Sequence, residues 1–300
     1  MDSKKSGWIF FLMVVLNVGA SLLLSIQEVH VWIDTMGILI ISEMIIVIPC
    51  FILYLLSKEK IVNTFGIHKI RMGTVFLSAF YAMMLAPLVA TLNAVSLFFT
   101  DNAAQVIFES MDGLPFWVTA LFIAVIAPVC EEFAFRGILY RGFRKNGSAF
   151  QAIILTSLLF GLFHMNVNQM IYAFALGIFF ALLREATGSV WPSVIGHMTI
   201  NGGSTLLTGL EPGIAPDAAK TVQEVTTGMI INTACVLGFV ALFTTAIAIA
   251  ILNWIAKREY GEGALKAVFT QRKKAHGRVW SLALICAMLA CVFLICYKGI

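Results

Sequence analysis

Long apolar runs separated by short polar segments dominate the pattern along this chain. The runs approach about 20 residues, the length with which a helix crosses a hydrocarbon core about 30 Å thick. We place nine spans, with eight as the alternative number, at about 8–26, 36–56, 74–99, 115–140, 149–165, 169–185, 189–208, 228–256 and 279–297. The pattern predicts an all-α fold, a polytopic transmembrane helical bundle.

Composition agrees with this prediction, because 60% of the residues are hydrophobic and only 12% are charged. An ordinary soluble domain carries about 25% charged residues. The net charge of +4 does not indicate nucleic acid as a partner, since the basic residues lie in short segments between apolar runs. The bilayer is the partner that the composition predicts.

Most of the 20 Lys and Arg residues fall on the same side as the amino terminus when the spans are threaded alternately. Basic residues in short loops stay in the cytoplasm, so the amino terminus is predicted to be cytoplasmic. The loops 100–114 and 209–227 then lie outside, and the short loops favour the cell membrane of a bacterium.

The fourth predicted span carries three charged residues, Glu131, Glu132 and Arg136. A charge at mid-bilayer costs about 2.5–3.5 kcal/mol on insertion scales, so such residues usually face the bundle interior and mark function. Glu132 and Arg136 are four residues apart and share a helix face, which suits an ion pair. Glu43 in the second span has no matching partner motif, and we assign it a structural or snorkelling role.

Two further spans carry His164, and His197 with Asn201 one turn later. At about 1.5 Å per residue, Glu131, His164 and Asn201 lie about 21, 25 and 21 Å from the cytoplasmic ends of their helices, and His197 about 15 Å. Polar residues that share a depth on separate helices indicate one site, reached by water, because lipid cannot satisfy them. A carboxylate and an imidazole can activate a water, while an imidazole and a carboxamide can donate hydrogen bonds to an oxyanion.

The order Glu-Glu-x-x-x-Arg, Phe-x-x-x-His and His-x-x-x-Asn on successive spans resembles the CAAX protease and bacteriocin-processing (CPBP, or Abi) family, which includes the Rce1-type peptidases. The resemblance implies an intramembrane endopeptidase in which Glu131 and His164 activate water. It further implies that His197 and Asn201 form the oxyanion site, and that Glu132 and Arg136 support this arrangement. On this basis residues 1–300 form a single membrane domain, in which 115–207 are the catalytic core and 1–114 and 208–300 are accessory transmembrane helices.

Several alternatives stay open at this point. No cofactor is favoured, but zinc held by Glu131, His164 and His197 is possible, although the chain lacks His-Glu-x-x-His. A transporter or proton relay is a competing function, against which Asn201 speaks because a carboxamide cannot titrate. A non-catalytic immunity or scaffold protein is a third possibility. The substrate could be a prenylated carboxyl terminus, a leader peptide or a membrane protein fragment.

Overall fold

A computed structural model describes residues 2–26, 35–57, 60–100, 102, 111, 114–214, 227–275 and 277–298 of the chain. These residues form eleven helices, with no β-strand among them. We number the helices α1 (Ser3–Leu24), α2 (Thr35–Ser57), α3 (Ile61–Phe65), α4 (Met72–Ser96), α5 (Phe116–Asn146), α6 (Ala149–Phe163), α7 (Val167–Thr187), α8 (Trp191–Ile214), α9 (Thr227–Arg258), α10 (Glu262–Thr270) and α11 (Leu282–Lys298).

Each of the nine predicted spans corresponds to one helix, and α3 and α10 are short helices between spans. Six helices, α1, α2, α4, α5, α7 and α9, are long and apolar enough to cross a membrane by length and composition. Helices α6 and α11 are apolar but shorter. The predicted polytopic helical bundle is confirmed, while nine as the number of crossings stays a prediction. The predicted outer loops 100–114 and 209–227 lie largely outside the described residues.

Helix α5 is not a uniform α-helix, because two π-helical segments, Phe122–Ile126 and Phe133–Leu139, interrupt it. The intervening α-helical segment, Ala127–Glu132, carries both glutamates of the sequence motif. π-helical turns inside α-helices are rare and frequently lie at functional sites. Glu131 and Glu132 therefore lie on a short α-helical segment between two wider π-helical segments.

Two apolar clusters hold the bundle together. The first surrounds the second half of α5, where the fully buried Phe135, Ile138 and Leu139 pack with residues of α1, α2, α6 and α11. The second joins α4, α7 and α9, and it includes Tyr81 and Phe180. Helix α9 packs along α4, and α8 packs against α4 and α5. Helix α5 thus lies between α1, α2 and α6 on one side and α8 on the other.

Helix α6 begins and ends with side-chain hydrogen bonds to its own backbone. Ser148 and Gln151 form a capping box at its start. Its last turn ends at His164, and Met165 takes a positive φ of 49° before Asn166 caps α7 by accepting the amide of Gln169. With 15 residues, α6 is about 22 Å long and shorter than the hydrocarbon core. His164 therefore lies at a helix end inside the bundle.

Candidate active site

The ion pair between Glu132 and Arg136 is buried completely. Nη1 of Arg136 donates to Oε1 of Glu132 at 2.8 Å, and neither side chain is exposed. This confirms the pairing that the four-residue spacing predicts. A buried charge needs such a partner, because taking an ion out of water costs several kcal/mol.

Aromatic rings stabilise the remaining part of the Arg136 guanidinium. Its Cζ atom lies 4.3 Å from the centroid of the Phe160 ring and 5.7 Å from that of Phe180. Nε and Nη2 have no hydrogen-bond partner among the described residues. The negative faces of the two rings attract the cation and offset part of this loss.

His197 lies between the carboxylates of Glu131 and Glu132. Its Nδ1 atom is 3.0 Å from Oε1 of Glu132, and its Nε2 atom is 3.7 Å from Oε2 of Glu131. The first distance is a hydrogen bond, whereas the second is too long for one. Because an ionised carboxylate only accepts, Nδ1 carries the proton and Nε2 faces Glu131. Glu132 therefore orients the ring of His197, a role more specific than general support.

His164 is oriented by the end of its own helix. The amide of His164 donates to the carbonyl of Gly161, so the carbonyl of Phe160 does not receive the amide that α-helical geometry would give it. Nδ1 of His164 takes that place, 2.8 Å from the Phe160 oxygen. Since a carbonyl only accepts, Nδ1 carries a proton, and Nε2 of a neutral ring is free to act as a base.

The ring of Phe160 packs against both histidines. The centroids of His164 and His197 lie 5.1 and 5.8 Å from that of Phe160, and both contacts are nearly perpendicular. In the sequence, Phe160 is only the first residue of the motif Phe-x-x-x-His. In the structure, its ring packs against Arg136 and both histidines.

Asn201 donates one of its two amide hydrogens to the carbonyl of Ile123 in the first π-helical segment, at 3.1 Å. This carbonyl lacks its usual donors, because the amide of Ala127 is bound to Phe122 and Pro128 has no N–H. The hydrogen bond fixes the carboxamide against α5. The second amide hydrogen is the one that remains for an oxyanion.

The second π-helical segment receives a side chain from another helix in the same way. Tyr140 donates its amide to the carbonyl of Phe135, five residues back, and Nε of Arg184 donates to the neighbouring carbonyl of Arg136 at 3.3 Å. Each wide turn of α5 is therefore tied to another helix by a polar side chain.

Glu43, which has no partner motif in the sequence, lies on a helix that contacts α5. Helix α2 packs against the segment Ala127–Glu132, and the carboxyl group of Glu43 forms a hydrogen bond with the thiol of Cys130. Glu43 also interacts electrostatically with Glu131. Sequence spacing could not reveal this contact, because α2 and α5 are distant along the chain.

The predicted residues do not form a ready metal site. Throughout the described part of the chain, no three His, Cys, Asp or Glu side chains are arranged so that they could hold a metal ion. The zinc alternative requires Glu131, His164 and His197 to converge on one point, and zinc ligands lie about 2.0–2.2 Å from the metal.

Comparisons with known proteins find similarity to membrane peptidases over part of the chain. Residues 113–203 match the family model described as "Type II CAAX prenyl endopeptidase Rce1-like". A stretch of 97 residues, 32% of this chain, is 25% identical to the Bacillus subtilis (strain 168) protein named "Putative membrane peptidase YdiL". The match spans 39% of the length of that relative. No solved structure matches the chain significantly. The resemblance to the Rce1-like peptidases of the CPBP family is thereby confirmed for residues 113–203, which contain every site residue that the sequence analysis selects.

Proposed function

We propose that this protein is an intramembrane endopeptidase that hydrolyses a peptide bond of a membrane-associated protein or peptide. One observation carries the proposal: the imidazole of His197 lies between the carboxylates of two successive glutamates from another helix of the membrane bundle. The match of residues 113–203 to Rce1-like endopeptidases, and the peptidase name of the Bacillus subtilis relative, support it.

Glu131 is the general base in this proposal. Oxygen Oε1 of Glu132 already accepts hydrogen bonds from Arg136 and His197, and the side chain of Glu132 is fully buried. The side chain of Glu131 is 17% exposed, so water can reach its carboxylate. His164 offers Nε2 as a second group that holds the same water.

The reaction begins when Glu131 takes a proton from the water and the water oxygen attacks the carbonyl carbon of the scissile bond. The carbonyl oxygen becomes an oxyanion, which receives hydrogen bonds from Asn201 and His197. When the tetrahedral intermediate collapses, the C–N bond breaks and Glu131 returns its proton to the leaving amine. The products are a carboxylic acid and an amine, so one water is consumed for each bond cut.

The donor role of His197 requires a particular protonation state. Its Nδ1 proton is directed to Glu132, so Nε2 can donate to the oxyanion only when the ring carries both protons. The Glu132 carboxylate holds Nδ1 at 3.0 Å and so directs Nε2 away from itself, as the carboxylate of a catalytic triad orients its histidine. Glu132 thus has a positioning part in the proposed chemistry.

The proposed setting is a bacterial cell membrane, with the amino terminus in the cytoplasm. This orientation is supported by the position of basic residues such as Lys145 and Lys273 between the spans. The proposed substrate is a peptide that the bilayer itself presents, since Glu131 lies on α5, which is long and apolar enough to cross the membrane.

Cleavage by the purified protein and its Glu131→Gln variant tests this function. A quenched fluorescent peptide library in detergent supplies the substrate, and Glu185→Gln is the matched control, because Glu185 contacts Tyr140 and Arg144 away from the site. We expect cleavage by the wild type and the control, and its loss in Glu131→Gln. Equal cleavage by all three proteins would reject the proposal.

The same assay with a chelator distinguishes the two mechanisms. Unchanged activity supports direct activation of water by Glu131. If the chelator abolishes activity and added zinc restores it, a zinc mechanism replaces direct activation by Glu131. Proton flux that depends on Glu131, without any cleavage, would favour the relay instead.

A further inference from the structure

Glu43 is an acid from outside the segment that matches the family, yet it lies beside the glutamates of α5. It stands in α2, and its carboxyl group forms a hydrogen bond with the thiol of Cys130, the residue that precedes Glu131. The charges of Glu43 and Glu131 also influence each other, and α2 packs against the segment Ala127–Glu132 that carries Glu131. Residues 113–203 alone therefore do not include every acid at this place.

The second carboxyl oxygen of Glu43 needs a partner. Its Oε2 atom is buried and has no hydrogen-bond partner among the described residues. An unsatisfied buried polar atom costs about 1–3 kcal/mol, and an acid within a membrane bundle is retained where it serves a function. The carboxyl group also forms a hydrogen bond with the side chain of Ser42, but neither this bond nor that with the weakly donating thiol of Cys130 satisfies Oε2.

A general base acts well only if the reacting water is held in one orientation. Misplacement by about 1 Å can cost about a hundredfold in rate. Arg136 and His197 both bind Glu132, but among the described residues no hydrogen bond of comparable geometry fixes Glu131. A polar group next to Glu131 can fix the orientation of its carboxylate and thereby of the water that Glu131 and His164 hold.

We infer that Glu43 is a positioning residue of this site, which orients Glu131 and the water that Glu131 activates through its hydrogen bond to Cys130 and its free oxygen. The inference rests on the proposed peptidase function. It assigns to α2, an accessory helix by sequence, a part of the reaction that α5 cannot supply alone. Glu43 itself does not contact the scissile bond.

Two substitutions test the inference. Glu43→Leu removes both hydrogen-bonding oxygens, whereas Glu43→Gln keeps the size of the side chain and replaces one acceptor with an N–H group. We expect kcat to fall at least about thirtyfold in Glu43→Leu and about tenfold in Glu43→Gln, with KM within about twofold of wild type, because orientation rather than substrate binding is lost. Glu185→Gln is the matched control and keeps wild-type kcat.

The thermal stability of the Glu43 variants and the activity of Glu131→Gln distinguish a positioning role of Glu43 from a structural role and from failure of the proposed function. If Glu43→Leu does not fold, kcat of Glu43→Gln decides the matter. Unchanged kcat in Glu43→Gln, or a lower thermal midpoint with a higher KM in place of a lower kcat, would overturn the positioning role. If Glu131→Gln still abolishes cleavage in that case, only the inference about Glu43 fails, whereas full activity of Glu131→Gln means that the proposed function itself fails.

Discussion

His197 and Glu132 lie on different helices, and Nδ1 of the histidine is 3.0 Å from Oε1 of the glutamate. The same oxygen accepts the hydrogen bond from Arg136. One buried carboxylate therefore neutralises a cation on its own helix and orients an imidazole from another. Loss of this carboxylate should affect both stability and activity.

We expect Glu132→Leu to lower the free energy of unfolding by about 3–5 kcal/mol, because Arg136 is left as an unpaired buried charge. The double variant Glu132→Leu/Arg136→Leu should recover much of this loss, since both charges are then removed. Thermal unfolding in detergent measures the difference. A double variant less stable than both single variants would contradict the prediction.

The same double variant should remain inactive despite its recovered stability. His197 then has no carboxylate at Nδ1 to hold the orientation of its ring. We expect kcat to fall by about a hundredfold or more, because loss of the carboxylate that orients a catalytic-triad histidine lowers kcat by at least that factor. Cleavage of the best library peptide measures this, and activity within about threefold of wild type would show that Glu132 has no part in the chemistry.

Asn201→Ala should lower kcat by about 10²–10³, the usual cost of removing one oxyanion donor. Its effect on stability should be small, about 1 kcal/mol, because a single hydrogen bond to Ile123 is lost. Thr199→Ala is the matched control, since the Thr199 hydroxyl donates only to a carbonyl of its own helix. An Asn201→Ala variant that keeps wild-type kcat would remove Asn201 from the oxyanion site.

Gly161→Ala should destabilise the protein, since the added Cβ would lie 2.7 Å from the backbone oxygen of Met170. Gly203→Ala is the control, because nothing lies within 4 Å of that position. Alanine favours a helix by about 1 kcal/mol over glycine, so the control should be neutral or stabilised. We expect Gly161→Ala to lower stability by about 1–3 kcal/mol and to reduce kcat by moving His164. Thermal unfolding and cleavage of both variants check this, and equal behaviour would contradict it.

Single cysteines in a background without the six native thiols test the orientation. Lys273→Cys lies on the predicted cytoplasmic side, and Thr100→Cys lies at the outer end of α4. A maleimide that does not cross membranes should label Thr100→Cys in intact cells, but Lys273→Cys only after permeabilisation. The reverse pattern would invert the proposed topology.

The sequence predicted the helices well, because a long apolar run in a bilayer must satisfy its backbone hydrogen bonds internally, as an α-helix does. It also singled out Glu131, His164 and His197 as candidate site residues, since charged and polar residues within apolar runs are conspicuous. The contact of Glu43 with Cys130 escaped prediction, because helix packing decides it and spacing within one helix does not. The partnership of His197 with Glu132 escaped for the same reason.

The π-helical segments of α5 could not be predicted from periodicity, since a wide turn shifts the phase of the apolar pattern by a fraction of a turn. Only Pro128, which removes one backbone donor, indicates locally that the hydrogen-bond ladder changes near Ile123.

These wide turns also determine which mutations the site can survive. A π-helical turn closes its hydrogen bond over five residues instead of four, so it equals an α-helical turn with one residue inserted. Deleting one residue from 122–126 would close a regular α-helical turn and leave the two halves of α5 nearly in phase, because the wide turn covers with five residues about the angle that an α-helix covers with four. Glu131 would still face His197, but the wide turn that offers the carbonyl of Ile123 to Asn201 would be lost. A deletion in a regular α-helical part of α5 would instead rotate one half against the other by about 100° and move Glu131 away from His197.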